Sequence, residues 1–320
     1  MKKKLLLFLL VTIMAIFMAA CSSDSSTEEK SSASADKNAT EEITVKHFLG
    51  ETTVQKNPEK VVVFDFGILD TLDKLGIEAA GLPKDNLPAY LKEKYSHDKY
   101  VNTGGLKEPD FEAINEIQPD LIIISARQQD LYEDFKEIAP TIYLGVDTAN
   151  FIESFKENTT IIGEIFGKEK EVETELAAID KDINALKDKA AKNSKNALVI
   201  LANEGKISAF GPASRFGLIH DEFGVQPADE GIEVSQHGQS ISSEYIVEID
   251  PDYLFVVDRG AVVEGGESSA KQVVENELVQ GTKAYKEGNI VYLDPNYWYL
   301  SGGGLMSTAE MVKEIEKGLK

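Results

Sequence analysis

The sequence predicts two similar α/β lobes joined by one long α-helix, with a cleft between them. Three observations carry that reading. The segment Glu112–Arg127 (EAINEIQPDLIIISAR) aligns without gaps on Glu244–Arg259 (EYIVEIDPDYLFVVDR) at an offset of 132, with seven identities in sixteen positions. Each copy reads as a short amphipathic helix, a Pro-Asp break and an unbroken apolar strand, the form a parallel strand takes when both its faces are buried. Between the copies, Val172, Leu176, Ile179, Ile183 and Leu186 recur at spacings of 4, 3, 4 and 3, one apolar stripe on a helix. A repeat this long is a lobe, not a solenoid unit, and 320 residues accommodate two of them.

Met1–Lys4 is basic, and Leu5–Ala20 is apolar apart from Thr12. That run is shorter than the roughly 20 residues of a spanning helix and has the form of a secretory signal. It ends Met18-Ala19-Ala20 directly before Cys21, the sole cysteine, and so resembles a bacterial lipobox. Residues 1–20 are therefore expected to be removed and Cys21 to carry a diacylglyceryl group; an internal disulfide framework is excluded. Residues 21–42, rich in Ser, Thr, Glu, Asp, Lys and Ala, form a flexible tether.

The N-terminal lobe is expected over 43–165, with a hairpin at Ile43–Gln55, strand Val61–Phe66, helix Ile68–Leu75, and strands Leu121–Ser125 and Thr141–Leu144. The linking region, 166–193, holds the striped helix Glu169–Ala190, about 33 Å long. The C-terminal lobe, 194–320, opens with strands Ala197–Ala202 and Lys206–Phe210. It closes with strand Ile290–Leu293 and helix Ser307–Leu319.

Lys and Arg together number 33 and Asp and Glu 55, for a net charge of −22. A nucleic-acid binder needs a basic face, so that class is excluded. Within the basic set only Arg127, Arg215 and Arg259 are arginine. Arg127 and Arg259 end apolar strands, and Arg215 follows a third strand within a Gly-Pro turn. Ligands of open α/β sheets bind outside such strand ends. Where lysine supplies the surface charge, arginine signals a need for planar, forked hydrogen bonds and for stacking on rings. The expected ligand is anionic, multiply charged and partly aromatic.

His237 lies in a polar loop (VSQHGQS), and Tyr297-Trp298-Tyr299 precedes Ser301-Gly302-Gly303-Gly304 at the start of the last helix. A glycine run there could cradle an anion, although the P-loop and G-x-G-x-x-G spacings are missing. Trp298 reads as core. For His237 and Tyr299 the local sequence leaves a ligand role and a hydrogen-bonded surface role equally open.

The phrases VVVFDFG (61–67), PDLIIISAR (119–127), ISAFGP (207–212), HGQS (237–240), PDYLFVVDRG (251–260) and WYLSGGG (298–304) together resemble the petrobactin-type ferric siderophore-binding lipoproteins of ABC importers, in the helix-linked class of binding proteins. The resemblance runs through the whole body. It implies a non-enzymatic, monomeric capture protein, lipid-anchored at the extracytoplasmic face of a Gram-positive cell membrane. Its Fe(III)-siderophore is cargo, with no intrinsic cofactor, and its partners are an ABC permease dimer with its ATPase. It implies Arg127, Arg215 and Arg259 as pocket arginines, His237 and Tyr299 as groups that reach the siderophore-bound iron, and Glu112 and Glu244 as contacts for permease arginines. Another iron chelate, haem or cobalamin is the alternative ligand on the same fold. A zinc- or manganese-binding relative needs converging histidines, whereas His47, His97, His220 and His237 are dispersed. A hydrolase has no support, because no G-x-S-x-G or H-E-x-x-H motif occurs.

Overall fold

Two sheets carry the fold in a computed structural model that describes residues 41–235, 237–263 and 270–320. The expected signal segment 1–20, Cys21 and nearly all of the tether lie outside the described residues. Among the described residues no helix is long and apolar enough to cross a membrane. A hairpin, β1 (Glu42–His47) and β2 (Gly50–Gln55), precedes the first sheet. That sheet holds β3 (Val61–Val63), β4 (Gly81–Leu82), β5 (Val101–Asn102), β6 (Leu121–Ile124) and β7 (Thr141–Tyr143). All are parallel, in the order β5-β4-β3-β6-β7.

The second sheet holds β8 (Asn196–Asn203), β9 (Lys206–Phe210), β10 (Gln226–Pro227), β11 (Gln239–Ile241), β12 (Tyr253–Asp258) and β13 (Ile290–Leu293). Its main path is β11-β9-β8-β12-β13, with β10 also on β8. β12 runs parallel to β8 and β13, whereas β9 is antiparallel to β8 and β11 to β9. The two halves are therefore alike in their duplicated segments and differ at one sheet edge.

The duplication extends to the backbone geometry of the helix ends. Helices Phe111–Ile117 and Ser243–Ile249 occupy equivalent positions, and each ends on a left-handed residue, Gln118 (φ 52°) and Asp250 (φ 45°), immediately before the proline. Proline disfavours the α region in the residue before it, and a left-handed cap meets that requirement while closing the last turn. β6 and β12 follow with every residue buried. The strand expected over Val61–Phe66 is shorter than its apolar run. Asp65 accepts the N–H groups of Gly67 (2.8 Å) and Ile68 (3.0 Å), caps a helix over Phe66–Lys74, and so ends the strand early.

The linking helix spans Glu169–Lys192, and Gly167 (φ 61°) closes the helix before it, Phe151–Phe166. Val172, Ile179, Ile183 and Leu186 are buried along the expected stripe; Leu176 is half-buried at its edge. Full burial stabilises each such side chain by about 1.5–3 kcal/mol. The stripe packs on Phe151–Phe166 and on the closing helix, Leu305–Gly318, in one apolar core shared by both sheets.

The linking helix is not the sole connection. The closing helix begins against Phe66–Lys74, and its first amides bond to that helix. Met306 and Ser307 donate to the two oxygens of Asp70, each at 2.8 Å, and Leu305 donates to Thr71 Oγ1 at 3.2 Å. Glycine permits this approach: a Cβ on Gly304 would stand 2.5 Å from the Gly67 carbonyl oxygen and 2.6 Å from Asp70. The anion that the glycine run cradles is thus a carboxylate of the chain itself.

Asp70 is fully buried and faces the Tyr90 hydroxyl, the Tyr297 ring and the helix amides. Burial raises its carboxyl to about 6, against the lowering pull of its hydrogen-bond donors. A carboxyl that ionises more easily in the unfolded chain favours folding below about pH 4, and that contribution is lost as pH rises through about 6. Asp70→Asn does not titrate. The melting-temperature gap between it and wild type should move in the variant's favour between pH 4 and 7, by no more than about 3 kcal/mol of stability. A gap that is constant with pH would show that Asp70 does not titrate there.

Candidate functional site

The three arginines reach their places by different routes. Arg127 follows β6 on a tight turn, Ala126–Leu131, that is fixed from within: buried Gln128 accepts the Ser125 N–H and donates to the Leu106 carbonyl. Arg259 follows β12, and its N–H donates to the Ala202 carbonyl at 3.0 Å, continuing the ladder with β8 beyond the end of the strand. Both stand at the mouths of parallel strands, as expected.

Arg215 does not. Because β9 is antiparallel to β8, its last residue pairs with Val199 near the start of β8, away from the mouth. The turn Gly211–Ser214 carries the chain away from that end, with Ala213 left-handed (φ 57°). Phe216 then anchors the position by packing against Phe210 and Trp298. A Cβ on Gly217 would stand 2.7 Å from the Ala213 nitrogen, so this turn also depends on a glycine.

Tyr299 is where these routes meet. It lies on a π-helical turn, Asn296–Leu300, and such turns are rare and recur at functional sites. The Arg215 guanidinium stacks on its ring, 4.2 Å from the centroid, and donates to its carbonyl at 2.8 Å. Arg259 donates from Nε to the phenol oxygen at 2.8 Å and from Nη1 to Asn203 Oδ1. All three arginines and Tyr299 are half-buried.

Burial, then the charge of Arg127 and more weakly that of Arg259, lower the Arg215 guanidinium to about 10 against the opposing pull of Tyr299. Burial pushes the Tyr299 phenol up, but the charges of Arg215, Arg259 and Arg127 together outweigh it and hold the phenol below its ordinary value. Arg127, from the first sheet, is therefore close enough to be felt at both residues of the second. Every ion pair among the described residues joins a carboxylate to a lysine, and none uses an arginine.

His237 is exposed, next to Gly238 (φ 74°), and its N–H donates to Ser235 Oγ at 3.3 Å. Within the described residues its imidazole touches neither the arginines nor Tyr299. Glu112 and Glu244 are exposed in the first turns of their equivalent helices. Asn203 is a site residue that sequence reasoning missed. It is an ordinary polar residue at a strand end, and only the pairing of β8 with β12 brings it to Arg259. A separate cavity of about 370 Å³, lined by Asp258, Lys271, Asp294 and Glu314 among others, contains none of the arginines.

A family model described as periplasmic binding protein matches residues 61–297. The petrobactin-binding protein YclQ of Bacillus subtilis (strain 168) is 58% identical over 293 residues, covering 90% of this chain and 92% of that one. The ferric-anguibactin-binding protein FatB of Vibrio anguillarum is 34% identical over 281 residues, 86% of this chain and 87% of its own. The crystal structure of YclQ matches with a TM-score of 0.85 at 60% identity, over 88% of this chain and 99% of that one. The periplasmic catecholate-siderophore-binding protein VctP of Vibrio cholerae matches with a TM-score of 0.83 at 38% identity, over 87% and 100%. With the family model spanning both sheets and relatives this similar over most of their length, the chain belongs to the periplasmic binding protein family.

Proposed function

We propose that this chain captures a ferric catecholate siderophore of the petrobactin kind outside the cytoplasm and delivers it to an ABC permease. One observation carries the reading: two guanidinium groups hold a tyrosine and a third is close enough to act on it, with no carboxylate paired to any of them among the described residues, in a chain of net charge −22. What such a cluster accepts is an anion with flat aromatic faces. Ferric iron is a hard cation that selects anionic oxygens. Three catecholates around it leave a net charge of −3, which three arginines neutralise one for one.

A bis-catecholate leaves two positions open on the iron. A phenol already held below its ordinary pKa by arginine charge is suited to one of them as phenolate, and His237, on an exposed loop, is the partner proposed for the other. The relatives support the same ligand class: YclQ is a petrobactin-binding protein, and VctP a catecholate-siderophore-binding protein. Residues 43–165 and 194–320 are proposed as the two lobes that close on the complex, with 166–193 as the stiff link. The function is binding, without turnover.

Cys21 is proposed as the lipid anchor that holds the body at the cell surface. Replacing it by Ser should release the protein into the medium; retention in the membrane fraction would refute the anchor. Glu112 and Glu244 are proposed to dock on the permease, since equivalent helices present them in the same way. Reversing both charges should abolish uptake and leave affinity in solution intact, and a loss of affinity in the purified double variant would remove them from the docking role.

The function is tested by fluorescence titration with ferric catecholate, hydroxamate and citrate complexes and with haem and cobalamin. Catecholate should bind tightest. Arg127→Ala, Arg215→Ala and Arg259→Ala should each weaken it by more than tenfold, about 1.4 kcal/mol or above. Unchanged affinity in all three variants would overturn the arginine cluster as the site.

A further inference from the structure

We propose that Asp70 and Tyr90 are positioning residues for Tyr299: two side chains from the first half of the chain that hold, across the join, the turn on which the second half presents its phenol. The inference rests on the reading above in assuming that Tyr299 faces the bound complex.

The turn is held at both ends by the first half. At its start, Asn296 Oδ1 accepts the Ala89 N–H at 2.8 Å. At its end, Ser301 is buried, donates to the Asn296 carbonyl at 2.7 Å, and stands 2.7 Å from the Tyr90 hydroxyl. Between these points the Tyr297 ring packs on the Tyr90 ring, with centroids 4.9 Å apart. The single Tyr90 proton has two acceptors, Ser301 Oγ and Asp70 Oδ2, each at 2.7 Å, and Asp70 is fixed by the amides of Met306 and Ser307. Ser307 Oγ closes the loop by donating to the Ser301 carbonyl at 2.6 Å.

A π turn has poorer backbone geometry than an α-helix and keeps its shape through such outside contacts. Asn296, Tyr297 and Ser301 are gripped by the first half, while Tyr299 meets Arg215 and Arg259. A shift of the first half against the second therefore moves the tyrosine. The angle between the halves and the aim of the phenol become one degree of freedom. A hydroxyl that merely stabilised the fold would affect every ligand alike. A positioning hydroxyl matters where the iron needs the phenol.

The test uses the purified full-length chain and two single-atom changes. Tyr90→Phe keeps the ring against Tyr297 and removes its hydroxyl, and Ser301→Ala breaks the same link from the other side. Tyr299→Phe is the comparator. Affinity is measured for a tetradentate ferric bis-catecholate and a hexadentate ferric tris-catecholate, and amide hydrogen exchange is followed across 296–304 without ligand. Both variants should weaken the bis-catecholate roughly three- to tenfold, weaken the tris-catecholate by clearly less, and speed exchange across 296–304 but not along the linking helix. Equal losses for both complexes, or unaltered exchange in both variants, would overturn the inference. If wild type binds neither complex, the proposed function fails, and the exchange arm still decides whether Tyr90 and Ser301 hold the turn.

Discussion

Like charges repel, and the site is built around that cost. Arg127 and Arg259 come close enough to Arg215 to lower its affinity for protons, and no carboxylate among the described residues forms an ion pair with any of the three. What offsets the repulsion is weaker and neutral: the face, the carbonyl and the phenol oxygen of Tyr299, and the amide oxygen of Asn203. Such partners order the arginines without discharging them. A carboxylate would have given a more stable protein and a poorer site, because an incoming anion would have had to displace it.

The geometry of the fold follows from that demand. Parallel strands end at one edge of each sheet, which places Arg127 and Arg259 at mouths. Arg215 has no strand mouth to use and needs a left-handed alanine, a close-packed glycine and an aromatic anchor in place of one. Tyr299 needs a π turn, and that turn needs the first half of the chain. Both segments use irregular backbone, left-handed Ala213 and the π turn Asn296–Leu300, where side chains must be aimed and regular structure would aim them elsewhere.

What was legible in the sequence was what local chemistry decides. The duplicated helix, left-handed cap, proline and buried strand were readable because each step depends on residues a few positions apart. The linking helix was readable from its stripe, with Leu176 less buried than its spacing suggests. The arginines were readable as a rare residue type in unusual places. The antiparallel pairing of β9 with β8 was legible in the two-residue loop Glu204-Gly205, too short for a parallel crossover, but the route from the end of β9 to Arg215 was not. The glycine run was open to reading as an anion cradle, because Asp70 lies more than 230 residues away in sequence and its bonds to Met306 and Ser307 leave no local trace.

That separation also sets the order of assembly. The first sheet draws all its strands from residues 61–143, so it can pair before the second sheet is made. The Asp70 carboxylate and the Thr71 hydroxyl take their amide donors from the closing helix, Leu305–Gly318. Until that helix docks, the face that receives it stays open and water takes the place of the amides at Asp70. Completion of the first half therefore waits for a helix of the second, and removing Leu305–Gly318 would leave both halves unfinished.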